Sequence, residues 1–208
     1  MSDALNYLVK VRPDAMGPYF KFLKEAGKNL DPKTRDLISV ITKVYVQTEP
    51  GFKQYLTRAL RNGVTPREVI DALLMAFPAL GLAKIVWATD ILLQMDIPEF
   101  RPEFLDNPPT WHNVAGIEDI PTDQTVLKEC DGRHLFIYCH AQEIRVYDSR
   151  CPHQVTDIPH LALKDGELTC PKHGWVFDIK TGECVQKGNH PLKLFKHKIE
   201  GSRLYVYW

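Results

Sequence analysis

Two hydrophobic periodicities divide the chain. Up to about residue 95, apolar positions recur at the three- and four-residue spacing of helices. In "DPKTRDLISVITKVYVQ", Leu37, Ile41, Val44 and Tyr45 fall on one helical face, Asp31 stands where an N-cap belongs and Pro32 takes the first helical position. "GFKQYLTRALRNG" carries Phe52, Leu56, Ala59 and Leu60 on one face and stops at Asn62-Gly63. In "TPREVIDALLMAF", Thr65 caps, Pro66 follows, and Glu68 completes a capping box. A further helix from about Leu80 to Met95 completes a bundle. Beyond residue 110 the pattern becomes short β-branched and aromatic runs, "HLFIYC", "EIRVYD", "LKLFKHKI" and "RLYVYW". Asp131-Gly132, Asp165-Gly166, Thr181-Gly182 and Glu200-Gly201 punctuate these strands as hairpin turns do.

Between the two regimes, "DIPEFRPEFLDNPPTWHN" holds four prolines, which disfavour helix and remove backbone donors. The expected organisation is therefore multidomain, an N-terminal all-α domain over 1–97, a Pro-rich linker over 98–110 and a C-terminal all-β domain over 111–208. The division has a chemical counterpart. All five cysteines and all eight histidines lie after residue 110, so the helical half holds no soft metal ligand except methionine.

Composition narrows the function classes. Lys and Arg together match Asp and Glu at 26 each, so no overall field recruits nucleic acid or an anionic membrane. The apolar run "VIDALLMAFPALGLAKIVWATDILLQM" is broken by Asp71, Pro78, Lys84 and Asp90 and reads as core, not as a membrane span. The start "MSDALNYLVKVRPD" lacks the basic and apolar segments of an export signal, so a cytoplasmic protein is expected. Five cysteines, an odd number, argue for metal or redox use over a disulfide framework.

The chemistry concentrates in "RCPHQVTDIPHLALKDGELTCPKHGW". Cys151 and His153 form Cys-x-His, sixteen residues follow, and Cys170 and His173 form Cys-x-x-His. Two thiolates and two imidazoles would satisfy tetrahedral zinc. The Cys-x-His pair, however, serves one ion awkwardly and readily offers each ligand to a different iron. The remaining histidines, His112, His134, His140, His160, His190 and His197, are expected in loops and strand edges, with His160 placed where it could approach the tip of the ligand segment. Cys130, Cys139 and Cys184 are expected to be small buried strand residues.

"CPH" followed by "CPKHGW" resembles the Rieske [2Fe-2S] family, and the resemblance runs from about Trp111 to Trp208 through "WHNVAG" and "FDIKTGECV". It implies one Rieske cluster per chain, with Cys151 and Cys170 on one iron and His153 and His173 on the other. Neutral imidazoles in place of two thiolates raise the potential from about −400 mV to roughly −150 to +300 mV. High-potential members carry an extra cysteine in each ligand loop, joined as a disulfide, and a serine after the second "HG". Here no cysteine lies between 152 and 169 and position 175 is Trp, so the resemblance points to the low-potential class of ferredoxins and oxygenase domains.

"DLISVITKVYVQTEPGFKQYLTRALRNGVTPREVIDALLMAF" resembles the carboxymuconolactone decarboxylase and alkylhydroperoxidase-D-like family over roughly residues 18 to 95. Redox-active members carry Cys-x-x-Cys followed by x-x-x-His. Counting back from Gly63 puts those positions on Thr48, Gly51 and Tyr55, none of which can do thiol chemistry, so no thiol peroxidase activity is expected. The resemblances together imply an electron carrier, a ferredoxin component passing single electrons from a reductase to an oxygenase. No catalytic residue is assigned, and the helical domain serves as an oligomerisation or docking module. The alternative is a redox enzyme or sensor whose helical domain binds a small aromatic or lactone-like metabolite, lined by residues such as Phe52, Tyr55 and Trp87.

Overall fold

The computed structural model describes residues 3–105 and 107–208. Asp106 of the Pro-rich segment, Met1 and Ser2 lie outside the described residues. The N-terminal region is helical: α1 (Asp3–Val11), α2 (Pro13–Ala26), α3 (Pro32–Tyr45), α4 (Glu49–Arg61), α5 (Pro66–Met75), the single turn α6 (Phe77–Leu80) and α7 (Leu82–Met95). The caps stand where the sequence puts them. Asp31 accepts from the Thr34 amide at 3.1 Å, and Thr65 and Glu68 form the reciprocal capping box. The expected Leu80–Met95 helix is divided at Gly81, whose φ of +71° no regular helix accommodates.

The buried face of α3 is rotated from the expected one. Val40 and Val44 are buried together with Asp36, while Tyr45 is exposed. The reason is an ion pair, since Asp36 bonds Arg58 of α4 and accepts from Asn62 at 2.6 Å, which draws its side of the helix inward. The helical core joins Val40, Val44, Phe52, Leu56, Ala59, Val69, Leu73, Ile85, Ala88 and Ile91. Phe52 is fully buried 6.1 Å from the Trp87 ring, so these two residues are core packing. Helices α1 and α2 pack on each other, and no side chain of α2 is buried.

The C-terminal region is all β, in three antiparallel sheets ordered β1-β10-β9, β2-β3-β4 and β5-β6-β7-β8. The strands are β1 (Trp111–Gly116), β2 (Thr125–Cys130), β3 (Arg133–His140), β4 (Glu143–Asp148), β5 (Leu163–Lys164), β6 (Glu167–Thr169), β7 (Val176–Asp178), β8 (Cys184–Gln186), β9 (Lys196–Glu200) and β10 (Arg203–Tyr207). Asp131-Gly132 and Asp165-Gly166 make two-residue turns with positive φ at both positions. Ala141-Gln142 makes the same turn between β3 and β4 at φ +46° and +68°, without a glycine to announce it. "LKLFKHKI" is a strand only from Lys196 onward, because Leu194 meets Tyr147 through an isolated bridge.

The Pro-rich segment differs from a plain linker. It contains a 3₁₀ turn, Pro98–Phe100, and a short helix α8, Pro102–Leu105. Pro98 is buried, and Glu99 bonds Arg133 at 2.8 Å and Lys193 at 3.3 Å, while Arg133 also bonds Asp148 at 2.7 Å. Arg133 is 2% exposed, so its charge depends on these two carboxylates. Burial works against ionising Glu99, but Arg133 and Lys193 outweigh it and hold the carboxyl at about 2, below its ordinary 4.5. This junction pair is complete above pH 4.5 and is lost as the pH falls towards 2. Glu99→Gln should therefore lower stability at pH 7 by about 1 kcal/mol, the partial exposure of Glu99 keeping the loss below that of a fully buried pair. In urea denaturation from pH 7 down to pH 3, the gap between parent and variant should narrow as the pH drops.

Candidate metal centre

A core beneath one end of the β domain holds the two thiols. Phe136, Tyr147, Ile158, Leu168, Phe177, Ile179 and Leu192 pack around Cys151 and Cys170, each cysteine 1% exposed. Two loops bring them there, Cys151 following β4 and Cys170 following β6, and both loops close by the same pair of backbone hydrogen bonds. In the first, the Val155 amide donates to the Cys151 carbonyl at 2.9 Å and the Cys151 amide donates to the Thr156 carbonyl at 2.8 Å. In the second, the Gly174 amide donates to the Cys170 carbonyl at 2.9 Å and the Cys170 amide donates to the Trp175 carbonyl at 2.8 Å. The fifth residue of each turn is left-handed, Val155 at φ +47° and Gly174 at +65°. Glycine takes that conformation freely, whereas a β-branched residue there is an outlier.

The four predicted side chains come together two and two. The thiols share a hydrogen bond, which pushes the Cys151 thiol up, with burial adding to the effect, and draws Cys170 down to about 6. The backbone amides of Lys172 and His173 point at the Cys170 sulfur and that of His153 at the Cys151 sulfur, each favouring a thiolate. The imidazoles face each other with Nδ1 atoms 3.2 Å apart, their rings nearly perpendicular at 74°. Burial, and then the neighbouring His173, pull the His153 imidazole down to about 4, so it is neutral at pH 7 with a lone pair to offer. His173 is exposed and His153 half-buried.

This donor set fits a two-iron, two-sulfide cluster. The soft sulfur pair lies in a dry core beneath the imidazole pair nearer the surface, whereas zinc would need all four donors around one point. Among the described residues no three Cys, His, Asp or Glu side chains gather in that way.

Other side chains shape the site without a signal in the sequence. Trp175 stacks on His153, with centroids 4.8 Å apart and planes within 10°. Its indole lies so close to the Gly188 backbone that a Cβ there would fall 2.1 Å from it. Arg150 donates to the Met95 carbonyl at 3.2 Å and Arg61 to the Pro152 carbonyl at 3.3 Å, both across the domain junction. His160 is instead tied to the Thr125 carbonyl of β2 at 3.2 Å. His112 and His134 bond Asp131 and Asp157 at 2.6 and 2.8 Å, and His140 bonds Asp123. Cys139 is buried, while Cys130 and Cys184 are half-buried. Cys130 donates to the Asn113 carbonyl, and Cys184 packs against the core that holds the ligand thiols.

In the helical region, a Cβ added at Gly51 would meet Thr48 Cγ2 at 2.9 Å and Lys43 Cδ at 3.1 Å. Tyr55 is covered by cations, Arg58 at 4.5 Å and Lys43 at 5.0 Å from its ring centre.

Comparison with known proteins gives two family matches. The Rieske [2Fe-2S] domain matches residues 110–196, and the carboxymuconolactone decarboxylase family matches residues 13–94. The chain is similar to the ferredoxin component of the alkene monooxygenase system of Xanthobacter autotrophicus, 27% identical over 96 residues, or 45% of this chain and 78% of that protein. It is 28% identical over 97 residues to the ferredoxin component of the naphthalene 1,2-dioxygenase/salicylate 5-hydroxylase systems of a Ralstonia species, 46% of this chain and 93% of that protein. Protein TIC 55 of Arabidopsis thaliana is 31% identical over 100 residues, 47% of this chain, but the chain spans only 18% of that protein's length. Among solved structures, the ferredoxin of carbazole 1,9a-dioxygenase from Nocardioides aromaticivorans is 18% identical, with 48% of this chain and 97% of that chain covered and a TM-score of 0.34.

The shape of the second loop rests on the left-handed residue that closes it. Gly174→Ala should cost about 1–2 kcal/mol, the penalty for placing a Cβ in that conformation. Its contact would be only the flexible end of Lys187. Gly174→Asn should lose less, since asparagine tolerates the region better. Chemical denaturation of the two variants beside the parent measures the order.

Proposed function

Since residues 13–94 belong to the carboxymuconolactone decarboxylase family and residues 110–196 form a Rieske [2Fe-2S] domain, we propose that this protein is the ferredoxin component of an oxygenase system, taking single electrons from a reductase and passing them to an oxygenase. In this reading Cys151 and Cys170 hold one iron and His153 and His173 the other. The cluster supplies one-electron chemistry when bound. The protein contributes a dry seat for the thiolates, amides directed at their sulfurs, and an imidazole pair at the surface. The observation that carries the reading is this layering, with the thiols 1% exposed and His173 open to solvent. An electron that leaves on the imidazole side has little protein to cross. Pro171 and Lys172 are also exposed and flank His173, so a partner docks against the second loop. The two ferredoxin relatives are components of a monooxygenase system and of dioxygenase/hydroxylase systems, which supports an oxygenase partner here.

For the helical domain we infer homo-oligomerisation. Its long apolar stretch has two faces. Val69, Leu73, Ile85, Ala88 and Ile91 form the core, while Met75 is 84% exposed, Leu93 71%, Leu82 63% and Leu74 58%. A second apolar set, Tyr7, Tyr19 and Phe22, is open on α1 and α2, with Phe22 65% exposed. Apolar surface on a domain of this size favours pairing with another copy. Thiol catalysis has no basis in Thr48 and Gly51, and assembly is what the remaining surface supports.

Anaerobically prepared protein should contain two irons and two sulfides per chain. Its reduced EPR signal should have an average g below that of an all-thiolate cluster. Voltammetry at pH 7 should give a midpoint near the −150 mV end of the Rieske range. Stoichiometric zinc would overturn the cluster assignment, and a midpoint above about +100 mV would overturn the low-potential one. Light scattering at micromolar concentration should show more than one chain per particle, and Met75→Glu together with Leu93→Glu should reduce it to the monomer.

A further inference from the structure

The two ligand loops share one backbone turn but not the same means of keeping it. In the second loop the left-handed position belongs to Gly174, where the conformation is free of steric cost. In the first it belongs to Val155 at φ +47°. A β-branched residue stays there only where its surroundings over-determine it. No cysteine lies between 152 and 169 to brace this loop covalently.

What surrounds Val155 is the other domain. Its side chain packs against the hydrophobic core of the helical region. On one side of it the carbonyl of Pro152, between Cys151 and His153, accepts from Arg61 at the end of α4. On the other side of Cys151, Arg150, its side chain 11% exposed, donates to the Met95 carbonyl at the end of α7 and lies 3.9 Å from Asp96. Arg150, Pro152 and Val155 thus all meet the helical domain. The second loop leaves Pro171, Lys172 and His173 exposed.

We propose that the helical domain is the brace of the first ligand loop, with Val155 as the positioning residue that its core holds in place. The inference rests on the assignment of Cys151 and His153 as cluster ligands. It makes the site asymmetric, with the first loop held from behind by the packing of Val155 and the second held by its own glycine. Coupling between sites is reciprocal, so whatever repacks the helical domain, assembly included, acts on the cluster through Val155.

The experiment follows iron loss from the oxidised full-length protein to a strong chelator, with the reduced EPR spectrum and midpoint potential recorded for each variant. Val155→Gly relieves the backbone but removes the side chain from the helical core. If the brace dominates, iron leaves about fivefold faster or more, as expected when a loop loses one partly buried aliphatic contact. Val155→Ile keeps the contact and should release iron at the parent rate with the parent spectrum. Arg61→Ala, an exposed change on the helical side, should speed release about twofold, the worth of one modest hydrogen bond, and it decides the matter if Val155→Gly does not fold. Release from Val155→Gly at the parent rate or slower would mean that the strain is merely tolerated, and the proposal fails. Release from Arg61→Ala at the parent rate with an unshifted midpoint would likewise overturn it. If the parent itself holds no iron, the ligand assignment fails first, a result distinct from a parent with two irons and an indifferent Val155.

Discussion

The structure depends on one repeated device, a six-residue turn closed by two backbone hydrogen bonds on its first residue, a cysteine. Each turn buries a sulfur in the apolar core under β5–β8 and carries an imidazole upward. The two sulfurs then sit where the dielectric is low, with backbone amides aimed at them, and the two imidazoles sit nearer the water boundary. Burying a thiolate is costly unless donors compensate it, and the amides of His153, Lys172 and His173 supply donors at the two sulfurs. The first turn follows β4 of one sheet and the second joins β6 to β7 of another, so the two hang from different sheets over one shared core.

The junction between the domains is built differently, from charges. Glu99, Arg133, Lys193 and Asp148 link the Pro-rich segment to β3, β4 and the strand-like stretch before β9. Arg133 lies 5.2 Å from the Phe195 ring centre and 5.6 Å from that of Trp208, so its charge is also met by aromatic faces. A buried guanidinium with two carboxylates tolerates little displacement. It ties the Pro-rich segment to the β domain, while Arg61 and the helical core meet the loop that carries Cys151 and His153.

The helical domain has the core of its family's fold, and Thr48, Gly51 and Tyr55 stand where redox-active members carry Cys-x-x-Cys and His. The space beside Gly51 is taken by Thr48 and Lys43, and Tyr55 lies under two cations. The core of Phe52, Leu56, Ala59 and Val69 remains tightly buried. A scaffold in this state offers rigid helices and apolar outer faces, and both can be used by a redox domain attached to it.

The sequence by itself determined the division into helices and strands, the caps at Asp31 and Thr65, the Asp-Gly turns and the grouping of Cys151, His153, Cys170 and His173 in two short loops. Each of these is written in local spacing or in residue types with one dominant use. Tertiary structure decided what depends on neighbours distant in the chain. Asp36 turned the buried face of α3, because a buried carboxylate follows its arginine, and no periodicity reports the partner. The Ala141-Gln142 turn was hidden because strand pairing, not a glycine, imposed its left-handed backbone. Trp175 over His153 and Val155 against the helices were equally invisible, since stacking and domain contact leave no spacing pattern. The quartet was legible because its chemistry is local to two short loops, whereas the brace behind it joins residues from both domains and exists only once they are packed together.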